Sequence, residues 1–156
     1  MPGDAPYEGH NPVLVILLIL IGIIATPWLA IRAVVLLVRA GIKRTTHALL
    51  KGAAALAWAG AIGIYTWGVL HLFFLDESGQ AEACREALGP GRSMLLDGYE
   101  PSFIPLRFGC HIEGGQTYEA AIPGYVNPAT GVFTVTAAAL TGFAVRSRNQ
   151  HEETNT

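Results

Sequence analysis

Two cysteines, Cys84 and Cys110, are the residues whose type and spacing speak most directly of chemistry. They form no Cys-x-x-Cys that would lower a thiol pKa and promote exchange, so a structural disulfide is the expectation rather than a redox pair. Closing a loop of about 26 residues would stabilise its fold by roughly 3 kcal/mol. The histidines are the other candidates, since imidazole is a common ligand for metals and haem. His10, His71 and His111 share no i, i+3 or i, i+4 spacing and stand in no ligand motif. Scattered polar histidines are therefore the favoured reading, and no metal or cofactor is expected. Ser78, Ser93 and Ser102 have no recognisable nucleophile setting. Phosphate-cradling glycine loops and zincin or hydrolase motifs are missing from the sequence. The chain is expected to carry no catalytic residues and not to be an enzyme.

The elements that would position these residues follow from composition. Of 156 residues, 51% are hydrophobic and 14% charged, against roughly 25% charged in an average soluble domain. No Asp, Glu, Lys or Arg occurs in 9–31, 52–75 or 120–145. Each run reaches the ~18–20 residues that span a hydrocarbon core, and none contains the Asp, Glu, Lys or Arg that usually marks an ion or proton pathway. Three spans are also too few for inverted-repeat transporter designs. The fold class expected is an all-α membrane protein: three transmembrane helices with a small disulfide-stapled α+β extracytoplasmic loop.

The first run is apolar on every helical face from Pro12 to Ile24, as lipid demands. A cleaved signal peptide would need a basic leader, whereas residues 1–11 carry Asp4 and Glu8 and no Lys or Arg. A lipid anchor is the expectation, with Pro27 kinking its inner end and Trp28 at the interface. Arg32, Arg39 and Lys43 fall on one helical face and, with Arg44 and Lys51, form basic anchors free of acidic neighbours. Residues 76–127 instead hold eight acids and three arginines (Arg85, Arg92, Arg107). Arg146 and Arg148 follow the third run. The positive-inside rule then puts the basic segments in the cytoplasm.

The resulting plan has an extracytoplasmic N-terminus at 1–11, helix 1 with its cytoplasmic extension at 12–38, and a basic loop at 39–51. A second span at 52–75, the outer domain at 76–127, a third span at 128–145 and a cytoplasmic tail at 146–156 complete it. Ala55, Ala59, Gly60 and Gly63 in the second span, and Gly131, Ala138 and Gly142 in the third, are helix-packing candidates, because small residues let backbones approach closely. The alternative is alanine-rich composition with no packing purpose. Asn127 and Pro128 read as the cap and first position of the third helix. In the outer domain the pattern predicts a helix over 79–88 stopped by Gly89-Pro90-Gly91. It also predicts a hairpin of 107–113 and 116–122 around Gly114-Gly115.

The outer segment containing Phe108-Gly109-Cys110-His111, then Gly114-Gly115-Gln116-Thr117-Tyr118-Glu119 and Val126-Asn127-Pro128 leading into a helix, resembles small multi-pass membrane proteins of high-GC actinobacteria such as Streptomyces. That resemblance implies a bacterial plasma membrane and carries over no activity. The first functional expectation is a non-enzymatic accessory or assembly subunit that meets the lipid bilayer and either other membrane subunits or copies of itself. A small subunit of a transport or respiratory complex is the second expectation, and a metal-handling membrane enzyme using the outer histidines is the last. With no basic patch, nucleic acid is not an expected partner.

Overall fold

A computed structural model of the chain describes residues 10–43, 46–74, 77–120 and 122–154. Among the described residues there are four α-helices: α1 (Pro12–Lys43), α2 (Thr46–Phe73), α3 (Glu77–Leu88) and α4 (Val126–Thr154). Three strands, β1 (Leu96–Phe103), β2 (Leu106–Ile112) and β3 (Gln116–Glu119), lie between α3 and α4. Among the described residues three helical stretches are long and apolar enough to cross a membrane: Pro12–Ile42, Thr46–Phe73 and Val126–Arg148. The chain divides into two compact units, Met1–Leu20 with Tyr65–Asn127, and Ile21–Ile64 with Pro128–Thr156.

In the helical unit, α2 packs between two partners through small residues. A Cβ added at Gly52 would lie 2.8 Å from the Leu37 side chain, and one at Gly63 would lie 3.2 Å from Thr26. Advancing along α2 thus retreats along α1 at the same rate, the signature of an antiparallel pair. On its other flank, Gly60 receives the Phe133 ring, 2.7 Å from where its Cβ would be. Trp58 Nε1 donates to Thr141 Oγ1 at 3.4 Å. The buried residues here are almost all alanine (Ala33, Ala40, Ala54, Ala57, Ala59, Ala61, Ala137, Ala144), while Ile23, Ile24, Ile31, Val34, Leu56, Val132, Val135 and Phe143 are exposed. Small inside and large outside is the reverse of a water-soluble bundle, whose large apolar side chains must leave water.

Several expected boundaries shift. The basic segment 39–51 is helical apart from 44–45, which lie outside the described residues. Arginine and lysine are good helix formers, so their charge does not end a helix. Likewise α1 continues through Pro27. Its start is capped by Asn11, whose Oδ1 accepts the Val13 and Leu14 amides at 3.0 and 3.4 Å, with Pro12 in the first position.

The other unit holds an antiparallel meander in the order β1-β2-β3. The Gly114-Gly115 turn is as expected, both glycines taking positive φ (115° and 85°) between β2 and β3. Helix α3 ends as expected at Gly89, also at positive φ, whose amide donates to Arg85 O at 2.9 Å. Strand β1 was not anticipated. It holds Gly98 and Pro101, tolerated because β1 is an edge strand, and an irregular register between Leu96 and Gly98 leaves Asp97 without a Cα partner on β2. Leu106, Phe108, Cys110 and Ile112 alternate onto the buried face of β2, and Cys84 is bonded to Cys110, tying α3 to the sheet.

Candidate functional site

The outward face of the sheet is polar. Alternation along paired strands places Glu100, Arg107, His111, Thr117 and Glu119 on it. Gly109 sits at its centre, where a Cβ would lie 2.5 Å from Thr117 Cγ2 and 3.2 Å from Glu100 O. The glycine leaves β1 and β3 free to meet across β2, and Thr117 Oγ1 donates to Glu100 at 2.8 Å. Arg107 pairs with Glu119 at 3.0 Å, and His111 Nδ1 pairs with Asp97. These exposed pairs contribute little to stability. They make a flat, charge-matched face rather than a set of groups aimed at one reacting atom.

The buried face ends in a differently built site. The β1–β2 hairpin closes through Ile104-Pro105, joined by a cis peptide bond, and side chains of the helical segments hold the backbone on both sides of it. His10, just before α1, has Nε2 3.0 Å from Ser102 O and lies edge-on to Phe103, ring centroids 4.7 Å apart. From α2, the Tyr65 hydroxyl donates to Phe103 O at 2.6 Å. At the start of α4, Asn127 Oδ1 accepts the Leu106 amide at 3.0 Å while its Nδ2 donates to Leu106 O at 2.8 Å. Asn127 therefore acts as a two-point clamp on β2, and α4 begins at Val126. Gly68 makes the close approach possible: a Cβ there would lie 2.7 Å from Val126 and 2.8 Å from Leu106. Beside it, Trp67 Nε1 donates to Tyr125 OH at 3.1 Å. His10 also lines a cleft of about 210 Å³ with Pro12, Val15, Leu72, Phe73 and Gln80.

The structure disperses the three candidate histidines. His10 joins the clamp, His71 Nδ1 bonds to Trp67 O of its own helix at 2.9 Å, and His111 faces Asp97. Among the described residues no group of three His, Cys, Asp or Glu is arranged to hold a metal. The packing candidates divide. Ala59 is buried and Ala55 half-buried, and Gly60 and Gly63 contact neighbouring helices. Gly131, Ala138 and Gly142 are exposed, and a Cβ at Gly131 or Gly142 would meet nothing. The inward face of α4 is carried instead by Ala137 and Ala144. Of the basic anchors, Arg32 lies over the Trp28 ring at 5.4 Å, Arg39 and Lys51 are exposed, and Arg44 falls outside the described residues. Lys43 is the last residue of α1.

The environments of His10 and His111 move their titrations in opposite directions. Burial holds His10 below the ordinary 6.5, partly offset by its bond to Ser102 O. The hydrogen bond to Asp97 holds His111 above 6.5, with the Asp97 and Glu100 charges adding. His10 thus stabilises the fold while neutral: its contribution is complete above the unfolded value and is lost as pH falls through the folded one. For His111 the contribution is complete below the unfolded value and is lost as pH rises through the folded one. An NMR pH titration, assigned with His10→Gln and His111→Gln, is expected to show midpoints on either side of 6.5. Coincident midpoints would contradict the packing of His10.

Comparison with known proteins finds no matching family model, no matching curated protein and no matching solved structure.

Proposed function

We propose that this chain is an integral protein of a bacterial plasma membrane. It crosses three times with its N-terminus outside, and serves as a non-enzymatic accessory or assembly subunit. The reading is carried by the inverted burial of the helical unit: alanines and glycines face inward and large aliphatic side chains face outward. Such a surface is costly in water and costs nothing in lipid, where close backbone packing replaces the hydrophobic effect between helices. Orientation follows from seven basic residues (Arg32, Arg39, Lys43, Arg44, Lys51, Arg146, Arg148) on one side against three on the other. The resemblance to actinobacterial multi-pass proteins supports the bacterial membrane. On the outer side the stapled sheet would present its polar face, and the open small-residue face of α4 (Gly131, Ala138, Gly142) would accept a neighbouring helix from another subunit or a second copy.

Cysteines introduced singly at Thr46 and Met94 test the arrangement. A membrane-impermeant thiol reagent applied to intact cells is expected to label Met94→Cys and to spare Thr46→Cys until the membrane is opened. The reverse pattern would invert the topology, and labelling of both would remove the spans. Purification in gentle detergent is expected to recover a defined partner or a homo-oligomer, and a monodisperse monomer would overturn the subunit role.

A further inference from the structure

We propose that the end of the β1–β2 hairpin is seated in the outer leaflet, with Ile104 among lipid acyl chains. The inference rests on the reading that the helices span a membrane, and it adds a non-helical element to the embedded part. Depth is the first observation. Tyr65, which holds Phe103 O, stands about two turns, or ~12 Å, before the end of α2 at Phe73. It lies inside the uncharged run 52–75. Gly68, against which Leu106 packs, lies in the same run. The hairpin end is therefore beside the apolar part of α2 and not above it.

Chemistry is the second observation. Non-helical backbone is tolerated at membrane depth only where protein satisfies its polar groups. Here Ser102 O, Phe103 O, and both the amide and carbonyl of Leu106 are each met by His10, Tyr65 or Asn127. Pro105 has no amide hydrogen to satisfy. The tip sequence Phe103-Ile104-Pro105-Leu106 carries no charge. Its Ile104 is nonetheless 90% exposed, costly in water and favourable against acyl chains. A third feature marks the level: Trp67 and Tyr125, both exposed and hydrogen-bonded to each other, form the kind of aromatic pair that settles at headgroup depth.

The opposite end of the sheet supplies the contrast. Met94, in the 3-10 turn leading into β1, is equally exposed, but β1 separates it from the tip by roughly 23 Å at strand rise.

Nitroxide labels at Ile104→Cys, Met94→Cys and Ile24→Cys, each in the full chain in phosphatidylcholine–phosphatidylglycerol vesicles, test the seating. Both tip and control side chains are exposed, so the substitutions spare the packing. Collision with oxygen, enriched in lipid, is expected to exceed collision with a water-soluble nickel chelate at Ile104 and Ile24, with the order inverted at Met94. If Ile104 follows Met94 while Ile24 stays in lipid, the hairpin is in water and the proposal fails with the spans intact. Low collision with both reagents at Ile104 would mean that protein covers it, which also overturns the proposal. An aqueous Ile24 would remove the spanning reading and the hairpin's seating with it.

Discussion

Reduction of the Cys84–Cys110 disulfide is expected to release α3 from the sheet while leaving the hairpin end and the long helices in place. The reason lies in where α3 is most deeply buried, at the bonded cysteine itself. Of its described side chains only Cys84 and Leu88 are buried, one turn apart. Its Glu82–Arg85 pair is solvent-exposed and spans a single turn of the same helix, so it cannot fasten α3 to anything and adds little. Twelve residues is also about the length at which an isolated helix is marginal in water. Cross-linking residues 26 apart is worth about 3 kcal/mol in the chain-entropy model, comparable with the whole stability of a small core. Cys84→Ser with Cys110→Ser should therefore mimic reduction. Trypsin is expected to cleave at Arg85 and Arg92 several times faster in either case, and hydrogen exchange over 77–88 should accelerate with it. Unchanged cleavage and exchange would show that α3 is held by something other than the bond.

What the sequence made legible was whatever depends on a run or on a residue with one role. Three uncharged runs became three membrane-length helices, two lone cysteines became a bond, and the glycines at 89, 114 and 115 became a helix stop and a turn. What stayed illegible depends on a neighbour. On α4 one residue is a rotation of 100°, so composition could not say that Ala137 would face inward and Ala138 outward. Strand β1 hides because an edge position relaxes the demands that make a strand recognisable. Tyr65 carries no local sign of its role, and only the fold brings a strand carbonyl to its hydroxyl. The two Asn-Pro pairs are the sharpest case. At Asn11-Pro12 the asparagine caps α1, whereas at Asn127-Pro128 the same dipeptide turns its side chain away from α4 to hold Leu106.

That difference makes Asn127→Ala the single substitution expected to cost most. Leu106 is almost wholly buried, and its amide and carbonyl would both lose their partner in one step. Each buried backbone group left unsatisfied costs about 1–3 kcal/mol, so the loss is roughly 2–6 kcal/mol. A helix cap in the same place would be worth only about 0.5–2 kcal/mol. Location separates the two accounts more cleanly than magnitude. If Asn127 clamps the hairpin, exchange of the Leu106 amide should accelerate strongly, and the first turn of α4 should keep its protection. A cap would give the opposite pattern, fraying α4 from Val126 onward and leaving Leu106 unchanged. Asn127→Asp refines the comparison. It keeps an acceptor for the Leu106 amide but sets a carboxylate oxygen against the Leu106 carbonyl, where a donor is required. A carboxylate serves well as a helix cap, so aspartate should rescue a cap and should not rescue the clamp. Protection at Leu106 restored to the level of asparagine would refute the two-point contact on which the seating of the hairpin depends.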